Sequence, residues 1–227
     1  MNESRLTIVE ITELLQSLIS LQSPVVFNEE KQTLTFVDKE SSPCELTFPP
    51  VLPKMYGGCA KDLLQQMHQA TLTYTIVLIQ AGAAAIGYYK NSELAKHKVI
   101  KKYMIRKSQG TSQIKHLKSK GKSRLGSRIR LKNSALFFEE INETLTEWDI
   151  VVQSETILLS LPINLMHFLF TADVPVPFEK KDPRVKKIPI DVNVPCFKEL
   201  GHIHWLVSRG LLKRKRMTAF IPPTSLL

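Results

Sequence analysis

Apolar residues recur at helical spacing from Ile8 to Leu21, at Ile8, Ile11, Leu14, Leu15 and Leu18. That spacing predicts an amphipathic helix, which Pro24 ends. Two short runs follow, Val25 to Asn28 and Thr33 to Asp38, and they predict strands joined by the turn Asn28-Glu29-Glu30-Lys31-Gln32. Ser41 to Pro53 holds four prolines and reads as a connector, so a soft boundary is set near Lys54. Beyond it, Ala60 to Gln69 predicts a helix. Thr73 to Gln80 is rich in β-branched residues, and a glycine turn leads to Ala84–Lys90, which together predict a hairpin. Lys98 to Arg106 alternates well enough to add a third antiparallel strand.

Ser108 to Gly126 has glycine, serine and lysine but little apolar content, and predicts a long exposed loop. Helical spacing returns over Asn133 to Trp148 through Leu136, Phe137, Ile141, Leu145 and Trp148, with Phe137 and Trp148 expected in the core. Thr156 to Leu161 predicts a buried strand, Asn164 to Phe170 a short helix, Lys187 to Val192 a strand and Pro195 to Arg209 a last helix. Lys213 to Arg216 is expected to cap that end, either contacting a polyanionic partner or favouring the helix C-terminus. The order predicts an α/β fold: a mixed sheet with an antiparallel three-strand meander and flanking helices over residues 54–227. Residues 1–53 form a small N-terminal α+β extension with its Pro-rich connector.

Composition narrows the class. Hydrophobic residues make up 43% of the 227, a globular fraction. No apolar run reaches the roughly 18–20 residues of a membrane-spanning helix. The longest candidate, Tyr74 to Gly87, is interrupted by Gln80 and Gly82. The start of the chain shows no export signal, and Cys44, Cys59 and Cys196 are scattered with no metal-ligand or disulfide spacing. These features suit a reducing cytoplasm, without a membrane partner.

The net charge of +10 is concentrated. Fourteen Lys or Arg and no Asp or Glu lie between Lys96 and Lys132, which leaves the other residues with 17 basic against 21 acidic groups. A single basic tract implies a polyanionic partner. Within it runs His97-Lys98-Val99-Ile100-Lys101-Lys102-Tyr103-Met104-Ile105-Arg106-Lys107-Ser108-Gln109-Gly110-Thr111-Ser112-Gln113, followed by Lys120-Gly121-Lys122-Ser123-Arg124-Leu125-Gly126-Ser127-Arg128-Ile129-Arg130. A strand thus leads into a glycine-containing loop, the basic loop 107–128, with one amide side chain in a positive field.

This stretch resembles the catalytic middle domain of eukaryotic and archaeal peptide release factors, and within them the Vms-type branch of ribosome-associated quality control. That branch carries His-Lys-x-x-x-x-Tyr-x-x-Arg-x-x-Gln-Gly-(Gly/Thr)-(Ser/Ala)-Gln at a strand-to-loop junction. His97, Tyr103, Arg106, Gln109, Gly110, Ser112 and Gln113 fall on its positions, and the likeness covers roughly residues 71–215. Two departures stand out. Thr111-Ser112-Gln113 replaces the Gly-Gly-Gln of termination factors, and Lys101-Lys102 stands where relatives prefer His and Arg, which keeps the charge but loses bidentate phosphate geometry.

The resemblance implies a ribonuclease H-like domain in a compact prokaryotic version, without cofactor or metal. Its implied partners are peptidyl-tRNA and the large ribosomal subunit with its RNA, and not DNA. It implies a catalytic loop of Gly110, Thr111, Ser112 and Gln113. A neutral amide orients water through its carbonyl and donates through its NH₂, which suits an already activated aminoacyl ester. Gly110 and the small side chains after it let backbone approach the tRNA end closely. Phosphate contacts are expected from His97, Lys98, Lys101, Lys102, Tyr103, Arg106, Lys107, Lys115, Lys118, Lys120, Lys122, Arg124, Arg128 and Arg130. The same loop suits cutting of the tRNA 3′ end, with the 2′-hydroxyl as nucleophile and His97 and Arg106 assisting.

A rival from another class is a non-catalytic ribosome- or tRNA-binding protein that keeps the basic loop. His202 and His204 beside Trp205 have no Cys or carboxylate at ligand spacing, so packing accounts for them. For Lys213 to Arg216, the alternative to favouring the helix C-terminus is a contact with ribosomal RNA. A metal-dependent nuclease of the same broad fold needs several inward carboxylates on its strands, and these strands offer almost none.

Overall fold

A computed structural model describes residues 2–102 and 122–214, with only the backbone for 122–132 and Val151. The chain is α/β and divides into two compact units, residues 1–70 with 207–227, and residues 71–206. The sequence placed its boundary near Lys54. The units part at Ala70 and Thr71 instead, and the last strand returns to the first unit.

In the first unit, β1 (Asn2–Leu6) precedes α1 (Ile8–Ser20), and β2 (Val25–Asn28), β3 (Thr33–Val37), β4 (Pro43–Thr47) and α2 (Ala60–Gln69) follow. The last described strand, β10 (Gly210–Arg214), inserts between β1 and β4 to give the antiparallel order β1-β10-β4-β3-β2. Thr7 opens α1 with a capping box. Its hydroxyl accepts from the Glu10 amide at 3.3 Å, and the Glu10 carboxylate accepts from the Thr7 amide at 2.7 Å. Ile11, Leu15 and Leu18 of α1 are buried, as are Leu34, Phe36 and Leu46 of the sheet and Leu63 of α2. Strand β4 lies inside the stretch read as a proline connector, where Pro43 occupies the first strand position, one of the few a proline tolerates. Lys213 and Arg214, read as a helix cap, belong to β10.

The second unit is a mixed sheet in the order β7-β6-β5-β8-β9. Strands β5 (Thr73–Gln80), β6 (Ala83–Lys90) and β7 (Glu93–Lys101) form the antiparallel meander, while β8 (Thr156–Ser160) and β9 (Val185–Lys187) run parallel to β5. Gly82, at φ +83°, closes the first turn, and Asn91 and Ser92, at φ 50° and 67°, close the second. The third strand was expected at Lys98–Arg106 and begins five residues earlier. Likewise β9 precedes the expected Lys187–Val192.

Helix α3 (Lys122–Glu147) starts inside the segment read as loop, so residues 122–126 are helical, whereas 103–121 lie outside the described residues. A short helix α4 (Ile150–Gln153) follows, then α5 (Ile163–Phe170) after β8 and α6 (Phe197–Val207) after β9.

Helices α3 and α5 cover one sheet face, where Phe137, Phe138, Ile141 and Leu145 meet Val77, Ile79, Ile86, Ile100, Ile157 and Leu159. Trp148 packs partly buried against this cluster, while Leu136 of the expected stripe is 39% exposed. The opposite face meets α6. A Cβ on Gly87 would sit 2.9 Å from Leu200, and His204 stacks on Tyr89 with 4.3 Å between ring centroids. Both faces are covered, which is why β5 and β8 read as continuous apolar runs.

Candidate nucleic-acid interface at the end of the basic strand

Strands β5, β7, β8 and β9 run in one direction, so their C-terminal ends share one edge of the sheet. Ligands of open α/β sheets bind outside that edge. The chain leaves β7 there for the glutamine motif, and the Lys102 amide donates to the Gly82 carbonyl at 3.0 Å, which fastens the exit point to the β5–β6 turn.

Strand alternation sorts the basic residues of β7 onto two faces. Lys98 and Lys102 flank buried Ile100 on the α3 side, and both reach Glu140 of that helix. Lys102 Nζ lies 2.8 Å from Glu140 Oε2, and Lys98 Nζ lies 3.6 Å from Oε1. The bond from Lys102 holds the Glu140 carboxyl below its ordinary range, with burial opposing and Lys98 adding its charge. His97 and Lys101 fall on the other face, both exposed, and the His97 ring tilts against Phe197 of α6 at 4.7 Å. The end of the strand therefore carries ammonium groups on both faces, Lys98 and Lys102 sharing one carboxylate and Lys101 exposed opposite them.

Among the other expected contacts, Lys122, Arg124, Arg128 and Arg130 lie on the first turns of α3, described as backbone only. Tyr103, Arg106, Lys107, Lys115, Lys118 and Lys120 lie outside the described residues, as do Gly110, Thr111, Ser112 and Gln113. Glu140 was not singled out from the sequence, where it is one of several acids on a helix. The one signal for it is the acid-free tract itself, whose counter-charge must come from elsewhere in the chain.

At the far end of the same sheet, the Tyr74 hydroxyl lies 2.8 Å from His204 Nε2, and burial pushes that phenol up to about 12. Of the two histidines that the sequence reading assigned to packing, His204 is thus a stacked, hydrogen-bonded and partly buried residue, whereas His202 is exposed. Among the described residues, no group of three or more His, Cys, Asp or Glu is placed to hold a metal ion. No described helix is long and apolar enough to cross a membrane.

Comparison with known proteins agrees with this architecture. The family model described as bVLRF1, Bacteroidetes VLRF1 release factor, matches residues 74–212, more than half of the chain. The chain is 27% identical over 149 residues to the mouse and human proteins named tRNA endonuclease ANKZF1, which covers 63% of it. It spans about a fifth (20%) of the length of those relatives. The solved structure titled Vms1 mitochondrial localization core superposes with a TM-score of 0.51 at 16% identity, over 92% of this chain and 82% of that one, a likeness of fold.

Proposed function

We propose that this chain, a member of the Bacteroidetes VLRF1 release factor family, frees nascent chains from stalled ribosomal complexes by cleaving peptidyl-tRNA. Its partners in this reading are peptidyl-tRNA and the large ribosomal subunit with its RNA, and its place is the cytoplasm. The observation that carries the reading is the junction at β7. The strand ends in Lys98, Lys101 and Lys102 at the ligand-binding edge of the sheet, and the seventeen-residue pattern His97–Gln113 departs from it. The lysines follow the tRNA phosphates, and Gln113 acts at the 3′ end, with Gly110, Thr111 and Ser112 keeping side-chain bulk out of the way.

Two bonds are open to that loop. In ester hydrolysis, water held by Gln113 attacks the peptidyl carbonyl carbon and the acyl–oxygen bond breaks, giving a free peptide carboxylate and an intact tRNA hydroxyl. In cutting, a tRNA 2′-hydroxyl attacks the neighbouring phosphorus and displaces the 5′ oxygen, so the peptide leaves on a short nucleotide stub. The name of the mouse and human relatives, tRNA endonuclease, favours the second. His97, on β7, and Arg106 are the residues to assist it by moving a proton and balancing phosphate charge.

Incubating large subunits that carry labelled peptidyl-tRNA with the wild type and with Gln113→Leu, then analysing peptide and tRNA 3′ end, tests the reading. We expect release by the wild type, a loss of at least about a hundredfold in the variant, and a shortened tRNA. If both proteins bind subunits and neither releases peptide, the chain is a non-catalytic ribosome- or tRNA-binding protein.

A further inference from the structure

The sheet edge opposite β7 carries a different combination of groups. Between α5 and the β8–β9 pair lies a pocket of about 250 Å³, walled by Leu159, Leu161, Met166, Phe170 and Val185. Ile163 stands at its mouth and is 86% exposed, although the rest of α5 buries Leu165 and Leu169. Lys180 and Lys187 complete the lining, and no carboxylate belongs to it among the described residues. Lys181 and Lys186 adjoin them in sequence. Of the two acids in that stretch, Asp182 is engaged by Arg184 at 2.7 Å, and Glu179 does not line the pocket.

From this we infer that the α5–β9 pocket docks a short acidic peptide segment of a partner protein through one aliphatic or aromatic anchor side chain. The volume falls below the roughly 300–1,000 Å³ of small-molecule sites and suits a single side chain. A nucleobase is a poor occupant. Its polar edge atoms would be buried against hydrocarbon, where each unmet hydrogen bond is costly, and among the described residues the charged groups of the lining are the two ammonium heads. A peptide anchor brings no polar edge, and acidic neighbours on the peptide meet Lys180 and Lys187 at the rim. Strand β9 is an edge strand of its sheet, so an extended segment alongside it would turn alternate side chains toward the pocket.

A test of this docking does not depend on release activity. Labelled ten-residue probes rich in Glu, each with one central Leu, Phe or Trp, are titrated into the full chain and followed by fluorescence anisotropy. We expect at least one to bind about tenfold to a hundredfold more tightly than the same probe with Ala at the anchor, and more weakly as salt rises. Ile163→Glu and the double variant Lys180→Glu with Lys187→Glu alter exposed side chains and should abolish binding while the thermal melt is kept. Gln113→Leu should bind as the wild type does. The inference fails if no anchored probe exceeds its Ala control. It also fails if a labelled single-stranded RNA oligomer binds and it is that binding which Ile163→Glu removes.

Discussion

Glu140 is the residue through which the fold changes what the basic tract can do. Lys98 and Lys102 were expected as phosphate contacts, yet each already has a carboxylate partner within 3.6 Å. Surface pairs of this kind contribute about 1 kcal/mol or less to stability, so their larger effect is on polyanion binding. Glu140→Gln leaves two ammonium groups without their counter-charge. We expect it to tighten binding of a single-stranded RNA and to steepen the dependence of log K on log salt by up to about 1.4, two phosphates at about 0.7 each. Titrations at several salt concentrations decide it, and an unchanged slope would mean the lysines do not meet RNA. The pair also carries a pH signature. The Glu140 carboxyl is held below its ordinary 4.5, chiefly by Lys102, so its contribution to stability is full above that value and fades as pH falls below it. The wild type should therefore lose more stability than Glu140→Gln between neutral pH and the acid range. None of this was legible residue by residue, because an acid on an amphipathic helix looks solvated until the fold supplies its partner. The glutamine motif could be named from the sequence because its residues are close neighbours in the chain, although Tyr103 to Gln113 lie outside the described residues.

At the scale of elements, the sequence reading succeeded where periodicity is local and failed where turns or distant pairing decide. Helix α1 and strands β2, β3 and β5 fall within a residue of expectation, each with its own alternation or helical stripe. Strand β7 was displaced because its hairpin closes on Asn91 and Ser92, and a turn with positive φ at both positions is easily missed without glycine at the second. Its first half, Glu93 to His97, is exposed throughout, Leu94 and Ala95 included, so no alternation announced it. The start of α3 was taken for loop because its first residues are basic rather than apolar. What ties α3 to the unit is also invisible locally. Asn142 is fully buried and donates to the carbonyls of Leu169 at 3.0 Å and Val174 at 2.8 Å, joining α3 to the end of α5 and the loop beyond. Asn142→Leu strands both acceptors away from water and should cost about 2–4 kcal/mol, read as a lowered denaturant midpoint with an unchanged m-value.

At the scale of the molecule, the two strands least accessible to a local reading, β1 and β10, pair with each other from Asn2↔Arg214 to Leu6↔Gly210. A single sequence offers no periodicity that links residues two hundred positions apart, so residues 1–53 looked like a self-contained extension and the basic end like a helix cap. The first unit instead needs β10 to join β1 to β4, and the family match, which runs to residue 212, includes most of that strand. The release-factor domain and the second compact unit are therefore not the same length of chain: the family's pattern continues into the sheet of the first unit. Gly210 is where this joint is tightest. A Cβ there would stand 2.7 Å from Ile11 Cδ1 and 3.0 Å from the Thr47 carbonyl oxygen, and the latter is backbone that cannot swing aside. Gly210→Ala should then cost about 1–3 kcal/mol by overpacking. Amide exchange should locate the loss in β1, β4 and β10, with β5 and β8 keeping their protection. Equal loss in both sheets would mean that the two units unfold as one, and unchanged exchange in β1 and β4 would mean that β10 does not hold the first sheet together.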